Sequence, residues 1–156
     1  MIENLTDIQI DELLYKEVVG RIGCHTNEMV YVVPISYAYD GNNIYAHTYD
    51  GLKVETMRKN PNVCFEVDDL NDMGNWQSVI AWGMFEEIMN KEERNAALKI
   101  LLNRQLPALS SITTHLGKNW PFTDNLDKIE GIVFRIVLTR RTGKHERTTR
   151  SPVVIG

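Results

Sequence analysis

Near the start of the chain, apolar residues recur at helical spacing: Ile10, Leu13, Leu14 and Val18 share one face. Thr6 followed three residues later by Gln9 forms a capping box, and Gly20 stops the pattern, so a helix is predicted over residues 7–19. From Arg21 the period shortens to two. RIGCHT, MVYVVPISYAY and NIYAHT are short runs rich in β-branched and aromatic residues. They are separated by Asn27-Glu28 and by Asp40-Gly41-Asn42, and read as a meander with a hairpin at the Asp-Gly pair. The run over residues 29–39 is apolar on both faces for much of its length, which predicts a central strand, with Pro34 at a bulge or an edge position.

After Gly51, LKVETMRKN reads as a short helix stopped by Asn60-Pro61, because a residue before proline is pushed out of the helical region. VCFEVDD returns to alternation, and WQSVIAWGMFEEI is a further strand in which Gly83 marks a bulge or bend. Asn90 with Glu93 repeats the capping signature, and a third helix follows with Ala97, Leu98, Leu101 and Leu102 as its buried stripe and Pro107 beyond its end. Residues 108–127 are irregular, and GIVFRIVLTR is the last clear strand. The polar, basic residues 140–156 are expected to form a partly ordered tail unless a partner chain holds them. About six strands and three helices without a βαβ rhythm predict an α+β domain, mainly antiparallel β. A closed or split barrel fits better than an open sheet.

The chain of 156 residues fits one domain, 1–156, with residues 1–20 as an N-terminal helical segment and 140–156 as the tail. A net charge of −4 argues against a general nucleic-acid binder, which needs a basic excess. The first twenty residues alternate acids with aliphatics, and neither a signal peptide nor a membrane span is expected. Cys24 and Cys64 sit apart in strand-like segments, which fits two reduced thiols in a cytoplasmic protein.

The usual signatures of serine hydrolases, zincins, P-loop enzymes and Rossmann dehydrogenases do not occur. None of His25, His47, His115 and His145 has a Cys, Asp or Glu neighbour at metal-ligand spacing, so no metal site is expected. The informative stretch is PISYAYDGNNIYAHTYDGLKVETMRKNPNVCFEV, followed by WQSVIAWG. Lys53 in the first turn of a helix, with Thr48 nearby, supplies the cation and donors that a phosphate monoester needs. Val33, Ile35 and Ser36 offer an apolar strand with polar groups able to frame a planar ring.

Residues 20–86, through GRIGCHT, VPISYAYDGNNIYAHT, GLKVETMRKNPNVCFEVD and WQSVIAWGMFEEI, closely resemble the flavin-binding split-barrel superfamily of pyridoxamine 5'-phosphate oxidase-like proteins, in its nitroimidazole-resistance branch. The resemblance implies a six-stranded Greek-key split β-barrel with peripheral helices, and a homodimer that binds FMN at the subunit interface. It implies that Val33, Pro34, Ile35 and Ser36 lie along the flavin ring and ribityl chain, and that His47 and Thr48 border the phosphate or ribityl side. It further implies that Lys53 meets the phosphate, that Gln77, Ser78 and Val79 complete the pocket, and that Trp120 reaches it from the partner subunit. The activity implied is FMN-dependent oxidoreduction of a small molecule such as a nitroaromatic, in which no side chain need act as an obligatory acid or base. A flavin carrier or sensor without turnover, and a haem-binding split barrel, are the alternatives.

Two departures set the chain apart from the true oxidases of pyridoxamine phosphate, which look richer in arginine around the flavin phosphate and carry a distinctive C-terminal substrate motif. Here the chain offers Lys53, and the tail reads RRTGKHERTTR. Each assignment also has a plain structural reading: Ser36 satisfying strand hydrogen bonds, Lys53 solvated, His47 capping main-chain groups. Trp76 and Trp82 fit core or dimer packing better than flavin stacking. The cluster Arg140, Arg141, Lys144, Arg147 and Arg150 is either a solvated end or an anion contact across the dimer.

Overall fold

The computed structural model of the protein describes residues 1–104 and 125–149. Helix α1 (Asp7–Lys16) starts at the capping box: the Thr6 amide donates to Gln9 Oε1 at 2.8 Å and the Gln9 amide to Thr6 Oγ1 at 3.3 Å. It ends three residues earlier than the periodicity predicts, because Val19 and Gly20 already belong to strand β2 (Val19–Thr26), opposite Ser36 and Ile35. Gly20 is needed for packing rather than as a helix stop. A Cβ there would lie 2.2 Å from the Phe65 ring and 2.7 Å from the Glu66 carbonyl.

The apolar run over residues 29–39 is divided by Tyr37 into β3 (Met29–Ser36) and β4 (Ala38–Tyr39). Tyr37 is held at the break by its amide on the Val18 carbonyl and by its hydroxyl, which donates to the Leu14 carbonyl at 2.8 Å. Strand β5 (Asn43–Thr48) follows a turn in which Asp40 Oδ1 accepts from the Asn42 and Asn43 amides and Gly41 takes φ +102°. Helix α2 (Leu52–Lys59), the long strands β6 (Asn62–Asp72) and β7 (Asn75–Glu87), helix α3 (Lys91–Asn103), a 3-10 turn (Leu126–Lys128) and β8 (Ile132–Arg147) complete the described chain.

The strands pair antiparallel in the order β3-β2-β6-β7-β8-β5-β4, with β1 (Ile2–Asn4) alongside β8. Both ends of that order, β3 and β4, come from one stretch of chain. The sheet therefore wraps into a barrel that is split, rather than closed by a ladder, at Tyr37. The six long strands are the predicted ones. Strand β3, however, is an edge and not the central strand its two apolar faces predict, and Pro34, which cannot donate to a ladder, is tolerated there. The basic stretch from Arg140 is likewise no loose tail: residues 140–147 continue β8 and pair with β7 and β1. Arg150 and Trp120 lie outside the described residues.

Inside the barrel, α1 lays Ile10, Leu13 and Leu14 against Phe65, Phe134 and Ile136. A second cluster forms where α3 covers the other side of β5, through Ala97, Leu98 and Leu101 on Tyr45 and Val133. These two cores leave one large sheet face without cover among the described residues.

Candidate functional site

That face is the outer side of β3, β2, β6, β7 and β8. Strand alternation sends Val30 and Val32 outward, 79% and 64% exposed, and does the same on β7 to Ile80, Trp82 and Met84. One row crosses five strands in register: Val32 opposite Gly23, Gly23 opposite Cys64, Cys64 opposite Trp82, and Trp82 opposite Arg140. A groove of about 630 Å³ runs over this row, walled by Val30, Val32, Trp82 and Met84, with Gly23 and Cys64 in its floor. Gly23 keeps the floor flat, since a Cβ there would meet Cys64 Sγ at 2.7 Å. Both cysteines are free thiols, and burial pushes the Cys24 thiol above its ordinary value.

Beyond the groove, the same face is charged. Arg21 Nη1 bridges Glu66 Oε2 at 3.3 Å and Asp68 Oδ1 at 3.0 Å. Burial raises the Glu66 carboxyl above its ordinary value, Asp68 adds to the rise, and Arg21 opposes both.

Helix α2 packs against β2 near the groove. Asn60, its C-cap, donates to the His25 carbonyl at 3.1 Å, and Arg58 clasps Glu87 of β7 through two bonds of 2.9 Å. Its other end is open: Gly51 stands at the N-cap, and among the described residues no side chain caps the first-turn N–H groups. Lys53 lies in that turn. It is half-buried, and burial draws its ammonium below the ordinary 10.5; among the described residues the Cys24 thiol acts on it electrostatically and no carboxylate does. Cys24 itself borders the groove. A half-buried cation without a carboxylate, beside an uncapped helix N-terminus, is the electrostatic arrangement that receives an anion.

The predicted residues divide. Thr48 is buried at the end of β5, where its hydroxyl donates to the Tyr49 carbonyl at 3.3 Å, four residues before α2 begins. His47 is turned the other way. Its Nε2 lies 2.5 Å from the Glu130 carbonyl, so that nitrogen carries the proton, and the ring seats the turn at Gly131.

On β3, Val33 and Ile35 pack on the barrel core, Pro34 is exposed, and Ser36 Oγ is buried with no hydrogen-bond partner among the described residues. Gln77, Ser78 and Val79 lie toward the far end of β7. Ser78 shares the outer face with Trp82 but is four residues away, about 13 Å along the strand. Gln77 sits with Asp69, which holds the Lys16 ammonium at 2.6 Å. Val79 is fully buried and its main chain is paired on both sides. Of the predicted residues, Lys53 is linked to the groove only through Cys24, which borders it, and Val33 to Ser36 continue β3 onward from the groove residue Val32; neither Thr48 nor residues 77–79 line the groove.

The sequence pattern does not single out the groove row. A signal for it is present in MVYVV, whose Val30 and Val32 are as apolar as their inward neighbours. Among the described residues no group of three or more His, Cys, Asp or Glu could hold a metal ion, and no helix is long and apolar enough to cross a membrane.

A family model described as pyridoxamine 5'-phosphate oxidase matches residues 6–145. A curated relative, an uncharacterized protein of Rhizobium meliloti (strain 1021), is 33% identical over 69 residues, 44% of this chain; the match spans 46% of that relative, about half its length. Among solved structures, a FAD-binding protein from Mesorhizobium loti superposes with a TM-score of 0.71 at 28% identity, covering 93% of this chain and 98% of its own. A candidate 5-nitroimidazole antibiotic resistance protein from Bacteroides thetaiotaomicron shares the fold, with a TM-score of 0.70 at 19% identity, covering 93% of this chain and 89% of its own.

Proposed function

Because this chain belongs to the pyridoxamine 5'-phosphate oxidase family, we propose that its groove and the open end of α2 form a flavin site, occupied by FMN in a cytoplasmic homodimer. The observation that carries the reading is Lys53, a half-buried ammonium without a carboxylate beside uncapped helix amides. One such cation at one helix end suits a single terminal phosphate, which favours FMN over a dinucleotide. The FAD-binding relative, at 28% identity, supports a flavin of some kind.

In this reading Lys53 and the first-turn N–H groups of α2 hold the phosphate, with Thr48 beside them. The unsatisfied Ser36 hydroxyl fits a polar group of the cofactor, and Val32, Trp82 and Met84 exclude water. The bound flavin supplies hydride or electron transfer, and the protein orients it and shields it from solvent. The substrate is a small acceptor such as a nitroaromatic, and no side chain is assigned as acid or base. The face supports a dimer: Val30, Val32, Ile80, Trp82 and Met84 together form an exposed apolar surface of the kind that marks an interface. The two free thiols fit a reducing compartment.

Titrating the flavin-free protein with FMN, riboflavin and FAD tests the phosphate assignment. FMN is expected to bind about 10- to 100-fold more tightly than riboflavin, the worth of a charge-assisted phosphate contact. Equal affinity for FMN and riboflavin contradicts the role of Lys53, and tighter binding of FAD identifies the dinucleotide as the cofactor instead.

A further inference from the structure

Strand β8 carries an extra residue where it passes β7: Leu138 pairs with Gly83 and Arg140 with Trp82, leaving Thr139 as the bulge. The Thr139 hydroxyl donates to the Trp82 carbonyl at 3.2 Å, which pins the bulge, and Arg140 emerges with its guanidinium 5.1 Å from the centre of the Trp82 ring. Bulges re-aim side chains, and this one stands a cation on the aromatic wall of the groove.

Arg140 also differs from its neighbours in charge pairing. Arg21, Arg58, Arg135 and Arg141 each hold a carboxylate, whereas Arg140 holds none among the described residues. Two acids share a cleft with it, Asp7 and Asp11, and Asp11 is already bound by Arg141 and Tyr39. Arg140 stands over the groove residue Trp82 at the border between the groove and that cleft, whereas Lys53 lies in the first turn of α2, outside the groove lining.

Resting on the flavin reading above, we infer that Arg140 anchors the second ligand of the site, and that this ligand is a flat aromatic molecule carrying a carboxylate. The guanidinium binds the carboxylate while the ring packs along Trp82. Neutral aromatics of the same shape lack the anchor and bind less tightly.

The test uses the FMN-loaded full-length protein and the shift of its flavin absorption on adding 4-nitrobenzoate or nitrobenzene. Wild type is expected to prefer 4-nitrobenzoate about tenfold. Arg140→Gln is expected to abolish that preference, with FMN affinity and thermal midpoint unchanged, and Arg140→Lys to restore part of it. A wild type that binds both probes equally overturns the inference and leaves the flavin reading intact. Loss of FMN affinity in Arg140→Gln equal to the loss of 4-nitrobenzoate also overturns it, by making Arg140 a cofactor group. A wild type that takes up no FMN overturns both.

Discussion

Replacing Lys53 by methionine is expected to weaken FMN binding about 10- to 100-fold, because the variant cannot make a charge-assisted bond to the phosphate. The same change is expected to leave the flavin-free protein as stable as wild type or more so, since it removes a half-buried ammonium that no carboxylate compensates among the described residues. The pH dependence has a definite sign. Burial holds the folded-state value of Lys53 below its ordinary 10.5, so the folded state disfavours the charged form. That cost is fully present at neutral pH, and wild-type stability is recovered as pH rises through the folded value toward the unfolded one; the methionine variant lacks this rise. Bound phosphate reverses the balance by favouring the ammonium. FMN affinity in wild type therefore falls as pH rises through the folded value, and flavin binding takes up a proton there. Fluorescence titration of FMN against pH, with urea unfolding of both proteins, measures all three effects. An unchanged affinity for FMN in the variant removes the phosphate from Lys53.

Gly83→Ala is expected to cost about 2–4 kcal/mol of folding stability, at the upper end for a single added methyl group. A Cβ at this position would lie 2.3 Å from the Val137 carbonyl oxygen and 2.9 Å from Ile136 Cγ2. The first of these is backbone, in a strand held on one side by β7 and on the other by β5, so it has little room to retreat. Relief requires flattening the bulge between Trp82 and Gly83, which moves the wall of the groove. Weaker flavin binding is therefore expected alongside the lower urea midpoint. Gly51→Ala is the control: nothing lies within 4 Å of its added Cβ, and its backbone is extended, so its stability should match wild type. A stability loss below about 0.5 kcal/mol for Gly83→Ala, the range of ordinary surface changes, would show that the bulge is softer than its contacts imply.

Local chemistry explains what is legible in the sequence. Thr6 with Gln9, Asn90 before α3, Asn60-Pro61 after α2 and the Asp40 turn are all decided within four residues, and each stands where its spacing predicts. Gly83 does mark a register shift, although the extra residue, Thr139, stands on the neighbouring strand β8. Gly20 misleads because a glycine looks alike whether it stops a helix or lets a phenylalanine ring lie on a strand; Phe65, forty-five residues away, decides between them. The edge position of β3 is hidden because alternation shows which faces are apolar, not what covers them. Strand β8 extends past its predicted end because its basic half reads as a tail, although its partners lie in β7 and at the amino terminus.

At the site, spacing alone places Lys53 at a helix start, while the flavin itself comes from family resemblance and not from any periodicity. His47 gives no sign in the sequence that its ring is used by the Glu130 carbonyl. The row Val32, Gly23, Cys64, Trp82 and Arg140 exists only through register across five strands, which no local pattern encodes.

The most direct test of a flavin-binding dimer is the absorption spectrum of the purified protein, resolved by size-exclusion chromatography with light scattering and repeated after reconstitution with FMN. A particle of two chains carrying close to one FMN per chain is expected. A monomer that stays colourless in the presence of micromolar FMN, or a particle whose band belongs to haem instead of flavin, would contradict it.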